Sequence, residues 1–144
     1  MSNQKRRGRI LVVDDEPDSC LVYQTVLQGT GYECKSYTDS VKAMQEFVPN
    51  YYDLILLDIK MPKLNGFELC KNIRGVDKTI KVIFITASED YYKNIKDQFY
   101  PELTSSTTTT FIQKPIENQE LIKIVNETLA RGSTNKKSSA INSS

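Results

Sequence analysis

Asp14, Asp15, Asp58, Thr86 and Lys114 are of types that do chemistry together, and each follows or closes a short run that reads as a strand, apolar in all but the last case. Arg9–Val13 leads into Asp14–Asp15, Leu54–Leu57 into Asp58, Val82–Ile85 into Thr86, and Thr109–Gln113 into Lys114–Pro115. Short continuous apolar runs indicate strands buried on both faces, as in a parallel sheet. In doubly wound sheets, sites form where loops leave the C-terminal strand ends, at the point where strand order reverses. Four polar strand ends on one rim therefore predict one site. Three carboxylates there repel each other: two charges ~5 Å apart at an effective dielectric of ~20 cost roughly 3 kcal/mol. The cluster needs a cation, a shared proton, or both. An all-oxygen set with few protein ligands suits Mg²⁺, which keeps waters and binds phosphate oxygens. Asp14–Glu16 also have a plainer reading, as acids favouring a helix N-terminus; Asp58 tips the balance to the metal.

The elements that must hold these residues alternate. Glu33–Tyr37 adds a weaker, alternating strand nearer an edge, giving five strands. Pro17 suits the first turn of a helix carrying Val22, Tyr23, Val26 and Leu27, with Gly31 as its stop. Asp39 or Ser40 can cap a second helix, ended before Pro49; Asn65 can cap a third, with Phe67, Leu69 and Ile73. Ser88 can cap a fourth, with Tyr91, Tyr92, Ile95 and Phe99, and Glu117 or Asn118 opens the last. Five βα units with short loops require right-handed crossovers, hence a parallel sheet with five helices on its two faces. Pro62 and Gly66 shape the loop after Asp58, Gly66 by allowing a backbone conformation that other residues resist.

Composition narrows the function classes. The chain has 144 residues and no histidine, which removes histidine catalysis, phosphorylation and metal sites from it. The apolar runs of four residues fall far short of a membrane span, so no membrane contact is expected. Cys20, Cys34 and Cys70 make an odd count without metal-type spacing; they read as packing residues in a reducing cytoplasm. The net charge of +1 hides a segregation: all 18 acids lie between residues 10 and 130 with 12 of the 19 bases, so the body carries −6. Lys5, Arg6, Arg7 and Arg9 make the N-terminal tip basic, a solubilising end in the plainer reading or else a contact for nucleic acid or an acidic partner. An acidic body with basic ends argues against direct DNA binding. The expected organisation is a basic segment over 1–8, one α/β domain over 9–130, and a disordered Ser/Asn/Lys tail over 131–144.

The motifs VVDDE, LLDIKMP, FITAS and FIQKP, in this order and spacing, resemble the receiver domain of two-component response regulators. The resemblance implies a flavodoxin-like sheet of strand order 2-1-3-4-5, with Asp58 as phosphoacceptor. It implies Mg²⁺, or Mn²⁺ in its place, held by Asp15, Asp58 and the Lys60 backbone carbonyl, with Asp14 acting mainly through water. Lys114 would supply a fixed positive charge, aimed inward by a cis Lys114–Pro115 bond, and Thr86 a hydroxyl donor. Thr86 moving toward a phosphoryl would vacate space for Phe111, which occupies the family's switch position; Phe111 reads equally as a plain strand aromatic. Lys60 and Ser88 fall beside the hydrolytic water path.

The resemblance implies a cytoplasmic phosphorelay protein of the chemotaxis-regulator kind. A histidine kinase or phosphotransfer protein would donate the phosphoryl group, and a downstream target protein would read it by contact. It would be no enzyme beyond Mg²⁺-dependent self-phosphorylation and self-dephosphorylation. The chain departs from the pattern in the 28 positions from Thr86 to Lys114, which include the polar run 104–110. That segment motivates a different reading, a receiver-like binding module indifferent to phosphorylation. A phosphohydrolase would want an acid two residues after Asp58, where Lys60 stands. A flavin site is disfavoured because acids at the strand ends repel a cofactor phosphate.

Overall fold

The computed structural model describes residues 7–87 and 109–142, with side chains through Arg131. Five strands form one parallel sheet: β1 (Arg9–Val13), β2 (Glu33–Tyr37), β3 (Leu54–Asp58), β4 (Lys81–Thr86) and β5 (Thr109–Gln113), in the order β2-β1-β3-β4-β5. The described helices are α1 (Pro17–Gly29), α2 (Ser40–Glu46), α3 (Gly66–Arg74) and α4 (Asn118–Asn142). The expected helix capped by Ser88 lies outside the described residues.

Alternation along the strands divides the core in two. Leu11, Val13, Ile55, Leu57, Val82 and Phe84 face Ala43 of α2 and Phe67, Leu69, Cys70 and Ile73 of α3. Ile10, Val12, Leu54, Leu56, Ile83 and Ile85 face Cys20, Tyr23 and Leu27 of α1 and Leu121 and Val125 of α4. The three central strands are therefore apolar at nearly every position, whereas edge strand β2 alternates and keeps Glu33 and Lys35 exposed. Each fully buried Leu, Ile or Val side chain contributes about 1.5–3 kcal/mol, so both layers are firmly attached.

Local signals set the helix ends. Asp39 accepts from the Val41 and Lys42 N–H groups at 2.9 and 3.3 Å, and Asn65 forms a capping box with Glu68. After α1, Gly31 at φ 101° lets its N–H reach the Gln28 carbonyl while Tyr32 reaches Leu27, the paired closure of a Schellman turn. The helical backbone of α4 runs on to Asn142, past residue 130, where apolar periodicity ends. Apolar spacing marks where a helix packs on the sheet, and backbone hydrogen bonding needs no such spacing. At the other terminus, the basic segment is partly built into the fold. Glu33 donates to the Gly8 carbonyl at 2.9 Å, and the Arg7 guanidinium lies 5.1 Å from the centre of the Tyr32 ring.

Candidate functional site

Strand order reverses between β1 and β3, and this crevice holds the site. Asp14 and Asp15 follow the last residue of β1, and Asp58 is the last residue of β3. One carboxylate oxygen from each of the three lies within 4.8 Å of the others. Asp14 and Asp58 are 1% and 6% exposed, so bulk water does little to separate their charges.

The fourth wall comes from β4 and β5. Thr86 closes β4 and is 1% exposed; its carbonyl accepts the Lys114 N–H at 2.8 Å, which fixes the turn carrying the lysine. The Lys114–Pro115 bond is cis. Lys114 Nζ donates to Asp14 Oδ2 at 2.9 Å and stands 3.7 Å from Glu16 Oε1. The other Asp14 oxygen accepts the Glu16 N–H at 2.9 Å. Both oxygens of Asp14 are thus engaged within the protein. Asp15, Glu16, Asp58, Lys60, Met61, Pro62, Thr86, Ala87 and Lys114 line an open cavity of about 610 Å³.

The electrostatics follow from this crowding. Burial, then the neighbouring charge of Asp14, pushes the Asp58 carboxyl up to about 7, against the relief offered by Lys114. Burial alone would lower the Lys114 ammonium, but its hydrogen bond to Asp14 and the charge of Asp58 outweigh that and hold it above its ordinary value. One ammonium does not neutralise three carboxylates. The donor set is all oxygen, partly open and short of positive charge, which fits a small hard divalent cation such as Mg²⁺.

Gly66 positions the floor of the site. A Cβ there would sit 2.2 Å from the Asp58 carbonyl oxygen and 2.8 Å from Ile59 Cα, while its N–H donates to the Ile59 carbonyl at 2.7 Å. The glycine is required for close approach of α3 to the Asp58 backbone, not for a left-handed conformation; Lys63, at φ 70°, takes that conformation in this loop. Phe111 is half-buried and stacks on Phe84 with ring centres 5.0 Å apart, 6.4 Å from Phe67.

The structure brings Asp14, Asp15, Asp58, Thr86 and Lys114 together, with Lys60 on the cavity wall; Ser88 lies outside the described residues. Sequence reasoning gave Glu16 no part in the pocket; its adjacency to Asp15 was the available signal. The thiols read as packing residues. Cys20 and Cys70 are buried and Cys34 half-buried, and burial pushes all three up to about 11.

The model of the response regulator receiver domain matches residues 10–126. The chain belongs to that family. Among curated relatives, this receiver domain is 31% identical over 140 residues to the transcriptional regulatory protein RprY of Bacteroides fragilis, covering 96% of this chain and 57% of the relative. It is also 31% identical to the response regulator ArlR of Staphylococcus saprophyticus over 123 residues, 85% of this chain and 53% of that one. The chain thus spans a little over half the length of these relatives. A CheY-like receiver domain of Methanospirillum hungatei superposes with a TM-score of 0.72 over 88% of this chain and 97% of its own, at 22% identity, a likeness of fold. The response regulator TrrA of Thermotoga maritima, solved in complex with Mg²⁺–BeF, superposes at 0.69 and 31% identity over 83% of this chain and 97% of its own. Receiver domains work in two-component phosphorelays by phosphorylation on an aspartate, and this chain is one of them. No described helix is long and apolar enough to cross a membrane.

Proposed function

We propose that this receiver domain accepts a phosphoryl group on Asp58 from a phosphohistidine of a histidine kinase or phosphotransfer protein, and that the adduct changes its binding to a downstream target protein in the cytoplasm. The observation that carries this is the cluster of Asp14, Asp15 and Asp58 within 4.8 Å, with Lys114 hydrogen-bonded to Asp14. Asp15, Asp58 and the Lys60 backbone carbonyl would hold Mg²⁺, or Mn²⁺ in its place. Asp14 would act through water, a division supported by the engagement of both its oxygens. When bound, the ion offsets the repulsion between carboxylate and phosphoryl oxygens.

The protein's own groups do the rest by positioning and charge, which is most of what phosphoryl transfer requires. A carboxylate oxygen of Asp58 forms the new bond to phosphorus as the bond to the donor imidazole nitrogen breaks. Lys114 is held facing the site, and Thr86 lies buried on the same cavity wall; its hydroxyl would donate to the new oxygens. Phe111 would take up the space that Thr86 leaves, a two-position packing element biased by a local charge change. The domain would turn over nothing beyond its own phosphorylation and dephosphorylation. Its acidic body, −6 over residues 10–130, supports a contact role for this segment without direct DNA binding.

Incubation with Mg²⁺ and either a kinase or a small phosphodonor, followed by intact mass, tests the reading. One added phosphoryl group is expected on the wild type and none on Asp58→Asn. A wild type unmodified by every donor overturns it.

A further inference from the structure

Glu16 is tied to the pocket through both its backbone and its side chain. It occupies the N-cap of α1, where the preferred Ser, Thr, Asp and Asn side chains turn back onto helix N–H groups. Glu16 makes no such cap bond. Its carboxylate instead accepts the Ser19 hydroxyl at 3.2 Å and stands 3.7 Å from Lys114 Nζ. Its backbone N–H meanwhile holds Asp14 Oδ1 at 2.9 Å. The Glu16 side chain is 68% exposed, against 14% for Lys114 and 1% for Asp14, so it lies at the mouth of the cavity.

We propose that Glu16 is an electrostatic positioning residue of the phosphoryl-transfer pocket, sharing the Lys114 ammonium with Asp14, favouring the divalent cation and opposing entry of small anionic phosphodonors. The inference rests on the phosphoacceptor reading of Asp58. A free acyl phosphate brings its negative charge past Glu16 before it meets Lys114. A cation entering by the same route is drawn in by the same carboxylate. One charge at this range in a partly solvated pocket is worth a factor of about 3 to 10 in either equilibrium, and salt screens it. In the reaction itself, a carboxylate oxygen of Asp58 bonds to phosphorus while the phosphorus–oxygen bond to the acyl group breaks. The carboxylate leaving group departs with the bonding pair, so no further reactant is needed.

The test uses the full chain as wild type, Glu16→Gln, Ser19→Ala and Asp58→Asn. Calorimetry reads Mg²⁺ affinity, and intact mass reads the second-order rate of uptake from an acyl phosphate at saturating Mg²⁺, at low and high salt. Glu16→Gln should bind Mg²⁺ about 3- to 10-fold more weakly and take up phosphoryl about 3- to 10-fold faster at low salt, the two proteins converging near about 0.5 M salt. Ser19→Ala, which frees the carboxylate without removing its charge, should move both in the same direction by less. Unchanged Mg²⁺ affinity in Glu16→Gln, or an uptake gain that is absent or indifferent to salt, overturns the inference. A wild type that takes up nothing, like Asp58→Asn, sinks the proposed function instead, and the Mg²⁺ comparison then decides the role of Glu16 alone.

Discussion

Asp58 and Asp77 are both buried, at 6% and 1% exposure, yet they sit at opposite ends of the sheet and are pushed in opposite directions. Asp77 lies before β4, at the N-terminal strand ends. Burial alone would raise it, but N–H groups of Asn50, Thr79 and Ile80 and the Thr79 hydroxyl, at 2.8 to 3.2 Å, outweigh that and hold it below its ordinary value. Neighbouring cations are also spent locally: Lys78 donates to the Arg74 carbonyl at 2.8 Å, Arg74 to that of Ile80, and Arg7 to that of Thr30. At the opposite rim, burial and Asp14 lift Asp58 to about 7. Asp77 has its charge satisfied by hydrogen bonds within the fold, whereas Asp58 faces other carboxylates that one ammonium does not balance. That is the difference between an aspartate that holds a loop and one whose charge the fold leaves uncompensated.

Exchange of roles would break the comparison most sharply. Asp58→Asn should abolish phosphoryl uptake measured by intact mass, whereas Asp77→Asn should leave uptake intact. Uptake lost in both would mean that the rims are not independent.

Stability against pH separates them next. Without metal, Asp58 titrates near 7 folded and near the ordinary 3.8 unfolded, so the folded state holds the extra proton between these values. Its contribution is fully present below about 3.8 and is lost as pH rises through about 7. Urea unfolding in chelator should therefore show a fall of a few kcal/mol from pH 5 to pH 8. Mg²⁺ should restore the loss, and Asp58→Asn should remove the dependence. Asp77 has the opposite sign: its contribution is present above the ordinary carboxylate value and is lost as pH falls through its lowered folded one.

Asp77→Ala should cost about 2–4 kcal/mol at neutral pH, because it leaves several buried N–H groups unpaired. Gly66→Ala should cost a similar amount in urea unfolding, about 3 kcal/mol, because the methyl meets the Asp58 and Ile59 backbone rather than a side chain that can swing aside, with a slower phosphoryl uptake as the strand end shifts.

The parts of this pattern that depend on nearest neighbours in sequence were legible. Runs such as Leu54–Leu57 identified the central strands, and Asp39 and Asn65 capped helices as their types require. Asp14, Asp15, Asp58, Thr86 and Lys114 were legible because each sits at a strand end, and a parallel sheet gathers those ends on one rim. Asp77 was not, since its partner Asn50 comes from another loop and nothing local marks the pairing. At Gly66 the sequence suggests a special backbone conformation, but its φ is unremarkable and what demands a glycine is backbone from another element. In sequence Glu16 is one more acid at a helix start; only the fold sets Lys114 beside it.

The contact at Gly66 makes the pocket mechanically lopsided. With the start of α3 pressed directly on the Asp58 peptide and pinned by the Gly66–Ile59 bond, that side acts as an anvil. A group added to the aspartate would meet close-packed backbone on this side and the open cavity wall of β4 and Lys114 on the other.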